Sequence, residues 1–472
     1  MLLRRIVETS SQVADRSGRL AKTARLANLL RDAVASEIET TIAFLSGTLR
    51  QARIGVGYSL LQRVSSAPPA AESSLELADV DAALERLAGA SGKGSAKLRE
   101  ATLRELFQRA TSAEQEFLFR LLIGEVRQGA LEGVMIEAVA RAAGIEAARV
   151  RRATMLAGDL GVVARAALTE GAAGLDRFVI ELFRPVQPML AQTAEDVPQA
   201  IAQLGKAAFE IKLDGARIQV HKSGEHVLVF SRLLNEVTSA VPEVVEAARR
   251  LEVSSVILDG EAIAVRADGS PLPFQTTMRR FGRKLDVDEL KSELPLRPFF
   301  FDILFADDRA LIDEPYHRRA ELLARFVPES QRPGRIITAD PDEAQGFYDR
   351  AIAAGHEGVM AKSLDAPYEA GSRGSAWLKI KAVHTLDLVV LAAEWGHGRR
   401  TGKLSNLHLG ARDPAGGFVM LGKTFKGLTD ATLKWQTAEL LARETGREGH
   451  IVHVRPELVA EIAFNDLQES PH

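Results

Sequence analysis

The sequence predicts a multidomain fold of three units: an all-α unit over residues 1–175, an α+β unit over 176–382 and a small β-barrel over 383–472. Three observations predict it. A chain of 472 residues is too long for a single core. No proline interrupts the Ala-, Leu-, Arg- and Glu-rich segment between Ser91 and Leu168, and these residue types favour helices. Beyond Arg184, prolines and short apolar runs typical of strands replace that pattern.

The middle unit mixes the two kinds of segment. Strands are predicted for AFEIKL, RIQVH, HVLVF, SSVIL and PFFFDIL, and the segment PEVVEAARRL predicts a helix between them. In the last unit, the runs LDLVVLAAEW, FVMLGKTF, IVHVRP and VAEIAF are separated by turns that contain Gly or Asn. This spacing is typical of a small β-barrel.

The segment GFVMLGKT (417–424) has the letter pattern of a phosphate-binding loop. Such a loop needs a helix that starts at its lysine. Residues 418–421 instead favour a strand, and no helical pattern begins before Asp430. We therefore reject the motif and expect Lys423 and Lys426 on an exposed strand face.

Composition limits the class of protein. A hydrophobic content of 46% with 26% charged residues is ordinary for a soluble globular chain. No apolar run suggests a signal peptide or a membrane span, so we expect a cytoplasmic protein without a membrane partner. The chain has no cysteine, which excludes disulfides, thiol nucleophiles and Cys-based metal sites. A net charge of −3 argues against a wholly basic nucleic-acid binder but leaves room for local basic faces.

The stretch FEIKLDGARIQVH (209–221) places Lys212 between Ile211 and Leu213 in a strand-like alternation. A lysine in a strand usually lies at a solvent-exposed edge. The same unit, however, has further polar residues at what we expect to be strand ends and near an aromatic: Arg232, Asp259, Glu261, Asp302, Glu357, Lys362, Arg373, Lys379 and Lys381, with Trp377. Together these carboxylates and cations suit a triphosphate nucleotide and a divalent metal.

Six ordered motifs resemble those of ATP-dependent DNA ligases of the covalent nucleotidyltransferase superfamily: KLDG (212–215), FSR (230–232), DGE (259–261), FFD (300–302), EGVMAK (357–362) and WLKIK (377–381). In RIGVGYSLL and GEVRQGALEGVM, the helical unit also resembles the DNA-binding domain of archaeal-type and related bacterial ligases. The resemblance covers nearly the whole chain. It implies a helical DNA-binding domain, an adenylation domain and an OB-fold domain.

The resemblance implies that Lys212 attacks the α-phosphorus of ATP and becomes lysyl-AMP. A free lysine with a pKa of about 10.4 is only ~0.1% neutral amine near pH 7.5. We expect apolar neighbours and nearby cations to disfavour the ammonium. These neighbours are Ile211, Leu213, Arg217, Lys379 and Lys381.

The other roles also follow from the resemblance. Glu210 resembles the residue that recognises the adenine amino group. Arg217 and Glu261 resemble ribose contacts, and Arg232 resembles a residue near the ribose and phosphate. Phe301 is expected to stack on adenine, with a position in the core as the alternative.

The phosphate and metal contacts form a second group. Arg373 resembles a phosphate contact, and Lys379 and Lys381 are expected to neutralise the α-phosphate. Asp214 and Glu357 are the expected ligands of Mg²⁺ or Mn²⁺. The expected partner is nicked double-stranded DNA, bound by a monomer mainly through phosphates.

Three alternatives share part of this pattern. An RNA ligase or a capping-type guanylyltransferase has the same core motifs, although the long helical unit favours DNA and Glu210 favours adenine. An NAD-dependent ligase needs a cysteine-based zinc site that this chain cannot build. A catalytically inactive nucleotide- or DNA-binding relative is the remaining alternative, and the intact KLDG speaks against it.

The resembled ligases have a last basic motif that orients the pyrophosphate. After Arg455 this chain contains no Lys or Arg and it stops at ESPH. We therefore expect the third unit to end before that motif.

Overall fold

The computed structural model describes residues 1–16, 18–51, 54–126, 132–266, 270–281, 294–369, 374–382, 384–396, 400–425 and 427–464. In this part of the chain, the proline-poor N-terminal region forms helices, as predicted. They are α1 Leu3–Ala14, α2 Arg19–Asp32, α3 Ile38–Leu45, α4 Tyr58–Val64, α5 Leu77–Gly89, α6 Ser95–Arg109, α7 Ser112–Leu122, α8 Glu132–Ala143, α9 Ala147–Ala157 and α10 Leu160–Glu170.

Local sequence explains where several of these helices begin and end. Thr111 and Glu114 form a reciprocal capping box at the start of α7. Gly158 ends α9 in the left-handed conformation, with φ of 71°. The next residue, Asp159, caps α10 by accepting a hydrogen bond from the Gly161 amide at 2.7 Å.

The middle region mixes strands and helices, as its apolar runs predict. In chain order the elements are β1 Gln192–Thr193, α11 Val197–Leu204, β2 Ala207–Lys212, β3 Ala216–Ser223, β4 His226–Ser231, α12 Pro242–Arg249, β5 Ser255–Ala264, α13 Phe274–Phe281, β6 Leu296–Ala306, β7 Arg309–Ala310, α14 Tyr316–Phe326, β8 Arg335–Thr338, α15 Pro341–Ala353, β9 Gly358–Ser363 and β10 Trp377–Lys381.

These strands form two sheets, with hydrogen-bonded orders β1-β10-β9-β2-β8 and β4-β3-β5-β6-β7. The chain leaves the first sheet at the end of β2 and enters the second at β3, so KLDG lies at the crossing. Gly215 has no room for a side chain there. A Cβ atom would lie 2.3 Å from Ile263 Cγ2 and 2.5 Å from the Ala262 carbonyl oxygen.

One local expectation was wrong. The DGE motif and Asp302 do not end strands but lie inside β5 and β6, which pair with each other. A register shift between Asp259 and Gly260 interrupts that pairing. A Cβ atom on Gly260 would lie 2.6 Å from the Phe299 carbonyl oxygen. Inside these strands, Asp259 pairs with Arg217 and Asp302 pairs with Arg319.

Residues Met1–Ile380 form one compact unit, and Lys381–His472 form a second. In the first unit, the helical core is continuous with side chains of the mixed region, among them Ile257, Leu304, Tyr368 and Trp377. The subdivision of this unit near residue 175 remains a prediction. Over the described ranges, no helix combines the length and apolar character needed to span a membrane.

The described part of the second unit contains β11 His384–Trp395, β12 Leu404–Arg412, β13 Phe418–Thr424, α16 Asp430–Ala442, β14 Glu444–Glu448, β15 Ile451–Val454 and β16 Val459–Phe464. The sheet order is β13-β12-β11-β15-β14, with β16 paired to β11. The GKT segment lies in β13, which confirms the rejection of a phosphate-binding loop. Lys423 is exposed on this strand, 2.5 Å from Glu394, and Lys426 lies outside the described residues.

Candidate active site

Lys212 is the last residue of β2 and pairs with Gly358, the first residue of β9. This register brings Glu357 beside it, and the Lys212 ammonium donates to Glu357 Oε2. The two side chains are 20% and 15% exposed. The sequence analysis expected surroundings that disfavour the ammonium. The structure places the carboxylate of Glu357 against this ammonium.

Glu210 lies two residues earlier, so its side chain projects from the same face of β2. It is 4% exposed. Lys362 Nζ lies 2.6 Å from its Oε2, and the Tyr316 hydroxyl donates to its Oε1. A buried carboxylate needs such donors because water cannot solvate it. Both oxygens of Glu210 therefore have fixed partners.

Lys362 is 1% exposed and is held mainly by aromatic rings. Its Nζ lies 4.4 Å from the centre of the Trp377 ring, 4.8 Å from Phe301 and 5.1 Å from Tyr316. It also donates to the Phe301 carbonyl oxygen at 3.1 Å. Ring faces attract a desolvated cation. The aromatic residues thus hold in place the cation that pairs with Glu210.

Arg217 forms a second buried pair, on β3. Its guanidinium makes two bonds to Asp259, of 3.0 and 2.6 Å, and donates to the Met189 carbonyl oxygen at 2.7 Å. The Tyr368 hydroxyl donates to the same Asp259 carboxylate at 2.6 Å. Burial acts to lower the pKa of Arg217, but Asp259, Tyr368 and Glu261 together outweigh burial and raise that pKa above its usual value.

A cleft of about 260 Å³ opens beside these groups. Its lining includes Glu210, Phe300, Phe301, Ala320, Leu323, Glu329, Arg332, Pro333, Gly334 and Arg335. Phe300 is fully buried and its side chain belongs to the core of the second sheet. Phe301 is only partly buried and meets Trp377 edge to face, with ring centres 6.1 Å apart. Both phenylalanines line the cleft, and Phe301 is the more exposed of the two.

The other predicted residues lie on several elements. Arg232 is exposed on the turn after β4, and Asp214 is half-buried between β2 and β3. Lys379 lies in β10, opposite Thr193 of β1. Lys381 ends the same strand and begins the second compact unit. Arg373 lies outside the described residues.

Sequence reasoning missed several groups of this site. Lys362 and Asp259 belong to quoted motifs, yet their partners could not be identified from the motifs. Tyr316 and Tyr368 lie outside the motifs and carry no local signal. They are two of only four tyrosines in the chain, and both are 1% exposed. The one hint in the sequence was a tyrosine close to a motif, in a chain that contains few tyrosines.

Glu261 is a buried carboxyl group whose surroundings change its pKa. It pairs with Arg217 in the β3–β5 ladder and accepts a 3.3 Å bond from the Gly215 amide. Burial raises the pKa of Glu261 to about 8, although the charges of Lys212 and Arg217 act in the opposite direction. Near neutral pH the nucleotide-free site therefore contains a largely protonated carboxyl group.

Replacing Glu261 by glutamine tests this assignment. The pKa of Glu261 rises from an ordinary 4.5 to about 8 on folding, so the protonated form stabilises the fold at low pH. That stabilisation is lost as the pH rises through the pKa of Glu261 in the folded protein. We expect the melting temperature of the wild type to fall relative to E261Q as the pH rises from about 5 to about 9. The exposed Glu252→Gln is the control, and parallel pH profiles for wild type and E261Q would contradict the assignment.

Three family models match the chain. The "ATP dependent DNA ligase domain" matches residues 188–381, the "DNA ligase N terminus" matches 56–140 and the "ATP dependent DNA ligase C terminal region" matches 400–472. The first match contains the cleft, Lys212 and both buried ion pairs.

Curated relatives match over the full chain. A probable DNA ligase of Anaeromyxobacter sp. (strain Fw109-5) is 58% identical over 473 residues, which cover 100% of this chain and 91% of that protein. A probable DNA ligase of Sorangium cellulosum (strain So ce56) is 54% identical, with 100% and 89% covered. The solved structure Pmar-Lig_PreS3 shares the fold, with a TM-score of 0.64 at 19% identity over 99% of this chain and 95% of that one. By these full-length matches, the chain belongs to the ATP-dependent DNA ligase family.

Proposed function

We propose that this protein seals nicks in double-stranded DNA with ATP, through AMP carried on Lys212 and then on the 5′ end of the nick. One observation carries the proposal. Lys212 and Glu210 project from one face of β2 beside a cleft that Phe301 lines, in a chain that belongs to the ligase family. A nucleophile and a polar group for the base are thus on β2, and an aromatic ring is on β6 of the second sheet.

The reaction has three transfers, and each balances. The Lys212 amine attacks the α-phosphorus of ATP, an N–P bond forms and pyrophosphate leaves. A 5′-phosphate oxygen at the nick then attacks the same phosphorus, and the lysine leaves as it regains a proton. Finally the 3′-hydroxyl attacks the 5′-phosphorus and releases its proton to solvent, the phosphodiester forms and AMP leaves. A lysine suits these roles because its nitrogen is a nucleophile when neutral and a leaving group when protonated.

Glu357 controls the starting state of Lys212. As long as the ammonium donates to this carboxylate, the nitrogen lone pair is not available for attack. Lys212 has to lose a proton and leave the pair before the first transfer, and Glu357 is the acceptor in contact with it. Glu357 and Asp214 are also the residues that we propose to hold Mg²⁺ or Mn²⁺.

This metal assignment fits the donors that are present. Within the ranges that the structure describes, no group of three or more His, Cys, Asp or Glu side chains could hold a metal ion. Mg²⁺ commonly binds through one or two carboxylates together with substrate phosphates, which suits Asp214 and Glu357. When bound, the ion supplies positive charge to the phosphate oxygens.

The remaining contacts divide between the base, the ribose and the phosphates. We assign Glu210 to the adenine amino group and Phe301 to the adenine face. Arg217, Arg232 and Glu261 are assigned to the ribose and its phosphate. The cations assigned to the phosphates are Arg373, Lys379 and Lys381.

We also propose the domain roles that the resemblance implies. Residues 1–175 form the helical DNA-binding domain, 176–382 the adenylation domain and 383–472 an OB-fold domain. The helices found before residue 175 and the sheet found after residue 383 support this division. We propose that the protein is a cytoplasmic monomer that contacts mainly DNA phosphates, so that salt weakens its binding.

The first test of this function uses Lys212→Arg. Arginine keeps the positive charge but is not deprotonated in proteins, so the variant is expected to form no AMP adduct. Intact mass is measured after incubation with ATP and Mg²⁺ and again after addition of nicked duplex. The wild type gains one AMP and loses it as the strand is sealed. The exposed Lys206→Arg is the control and behaves like the wild type. An adduct on K212R at the wild-type level would refute the assignment.

The second test separates stacking from core packing at two phenylalanines. Phe301→Leu removes the ring that lines the cleft, and we expect ATP affinity to fall about fivefold, as for the loss of ~1 kcal/mol of stacking. Its melting temperature is expected to change little. Phe107→Leu, in the core of the helical region and not in the lining of the cleft, is the control and lowers the melting temperature with little change in ATP affinity. Isothermal titration and thermal unfolding of both variants provide the comparison, and the reverse pattern would contradict stacking by Phe301.

A further inference from the structure

Tyr316, the first residue of α14, lies behind Glu210 and links it to a second cation. Its hydroxyl donates to Glu210 Oε1 and accepts from Arg335 Nη1 at 3.2 Å. Arg335 begins β8 and pairs directly with Glu210 in the β2–β8 register. An arginine, a phenol and a carboxylate therefore form a chain of hydrogen bonds at the wall of the cleft.

The Tyr316 ring itself is fixed. It packs with Ala208 and Ala320 in a small core, and its amide donates to the Ala366 carbonyl oxygen at 3.0 Å. Lys362 lies over its ring at 5.1 Å and Arg319 at 5.8 Å. Burial and the charge of Glu210 raise the pKa of Tyr316 well above its usual value. The hydroxyl therefore stays protonated and remains a donor.

These contacts constrain the Glu210 carboxylate from two sides. Tyr316 holds Oε1, and Lys362 lies 2.6 Å from Oε2. Each carboxylate oxygen has two acceptor positions, so every oxygen that a protein donor occupies still has one acceptor position for a ligand. With two donors fixed, the carboxylate cannot rotate freely, and the direction of the remaining acceptor positions is set.

We propose that Tyr316, supported by Arg335, is a positioning residue that aims the Glu210 carboxylate at the amino group of the adenine base, and so determines nucleotide selectivity. The inference rests on the proposed function, because it requires that Glu210 meets this base. Tyr316 does not touch the nucleotide in this role. Its effect is confined to the bond that Glu210 makes with the 6-amino group.

Because the effect is limited to this one bond, a nucleotide that cannot form the bond separates a positioning role from a purely structural one. Purine riboside 5′-triphosphate lacks the 6-amino group, so it gains nothing from an aimed carboxylate. If Tyr316 acts through Glu210, loss of its hydroxyl weakens the use of ATP and leaves the use of the analogue unchanged. If Tyr316 only supports the fold, its loss weakens the use of both nucleotides equally.

The experiment measures single-turnover formation of the covalent nucleotide adduct by the full chain, over a range of ATP or analogue concentrations. Tyr316→Phe is expected to lower the rate constant divided by Kd for ATP by about three- to tenfold, a fraction of the worth of a charged hydrogen bond. The value for the analogue and the maximal rate with ATP are expected to remain unchanged. Arg335→Met, at the rim of the cleft, is the second variant. It is expected to lower the value for ATP relative to the value for the analogue, by a smaller factor than Tyr316→Phe.

Tyr348→Phe, on α15, is the matched control and leaves both values as in the wild type. Equal losses for ATP and the analogue in Y316F, or an unchanged preference for ATP in both Y316F and R335M, would overturn the inference while the wild type still forms its AMP adduct. If the wild type forms no adduct at all, the proposed function fails and this inference fails with it. The two failures are therefore distinguishable.

Discussion

The antiparallel register of β2 with its two neighbours is the constraint on which the rest of the site depends. It sets Lys212 opposite Gly358, next to Glu357, and sets Glu210 opposite Met360 on one side and Arg335 on the other. A slip of one residue would turn every side chain of β2 to the other face of the sheet. Lys212 and Glu210, the proposed nucleophile and base-recognition group, would then turn to the other face together, since they are two residues apart on one strand.

Buried ion pairs keep that arrangement rigid. Lys362 with Glu210, Arg217 with Asp259 and Arg319 with Asp302 all lie within the first compact unit, and their side chains are at most 16% exposed. Removing one partner of a buried pair costs about 3–5 kcal/mol, because the other charge is left without compensation. Aromatic rings fill the space between the pairs, notably Trp377, which packs against Phe301 and Tyr368. The side chains of the site are thus already held in place by the protein. Less of their conformational entropy is therefore lost when a nucleotide binds.

Much of the fold could be predicted from the sequence, because the apolar runs of the middle region coincide with strands and the proline-free region forms helices. Irregular pairing could not be predicted, so the DGE motif was expected at a strand end and lies inside β5. The ordered motifs identified Lys212, Glu210 and Phe301 as candidates. They could not identify Tyr316, because long-range packing brings it to Glu210 from 106 residues away. They also gave no sign that Lys212 rests against Glu357, since that contact arises from strand register.

The central claim is that the lysine at the end of β2 carries the AMP, and locating the AMP group tests it most directly. The protein is incubated with ATP and Mg²⁺, digested under mildly basic conditions that preserve a phosphoramidate, and sequenced by tandem mass spectrometry. The account predicts AMP on Lys212 alone, in the peptide that contains FEIKLDGAR. AMP on Lys362 or Lys379 instead, or a protein that carries no AMP after incubation, would contradict it.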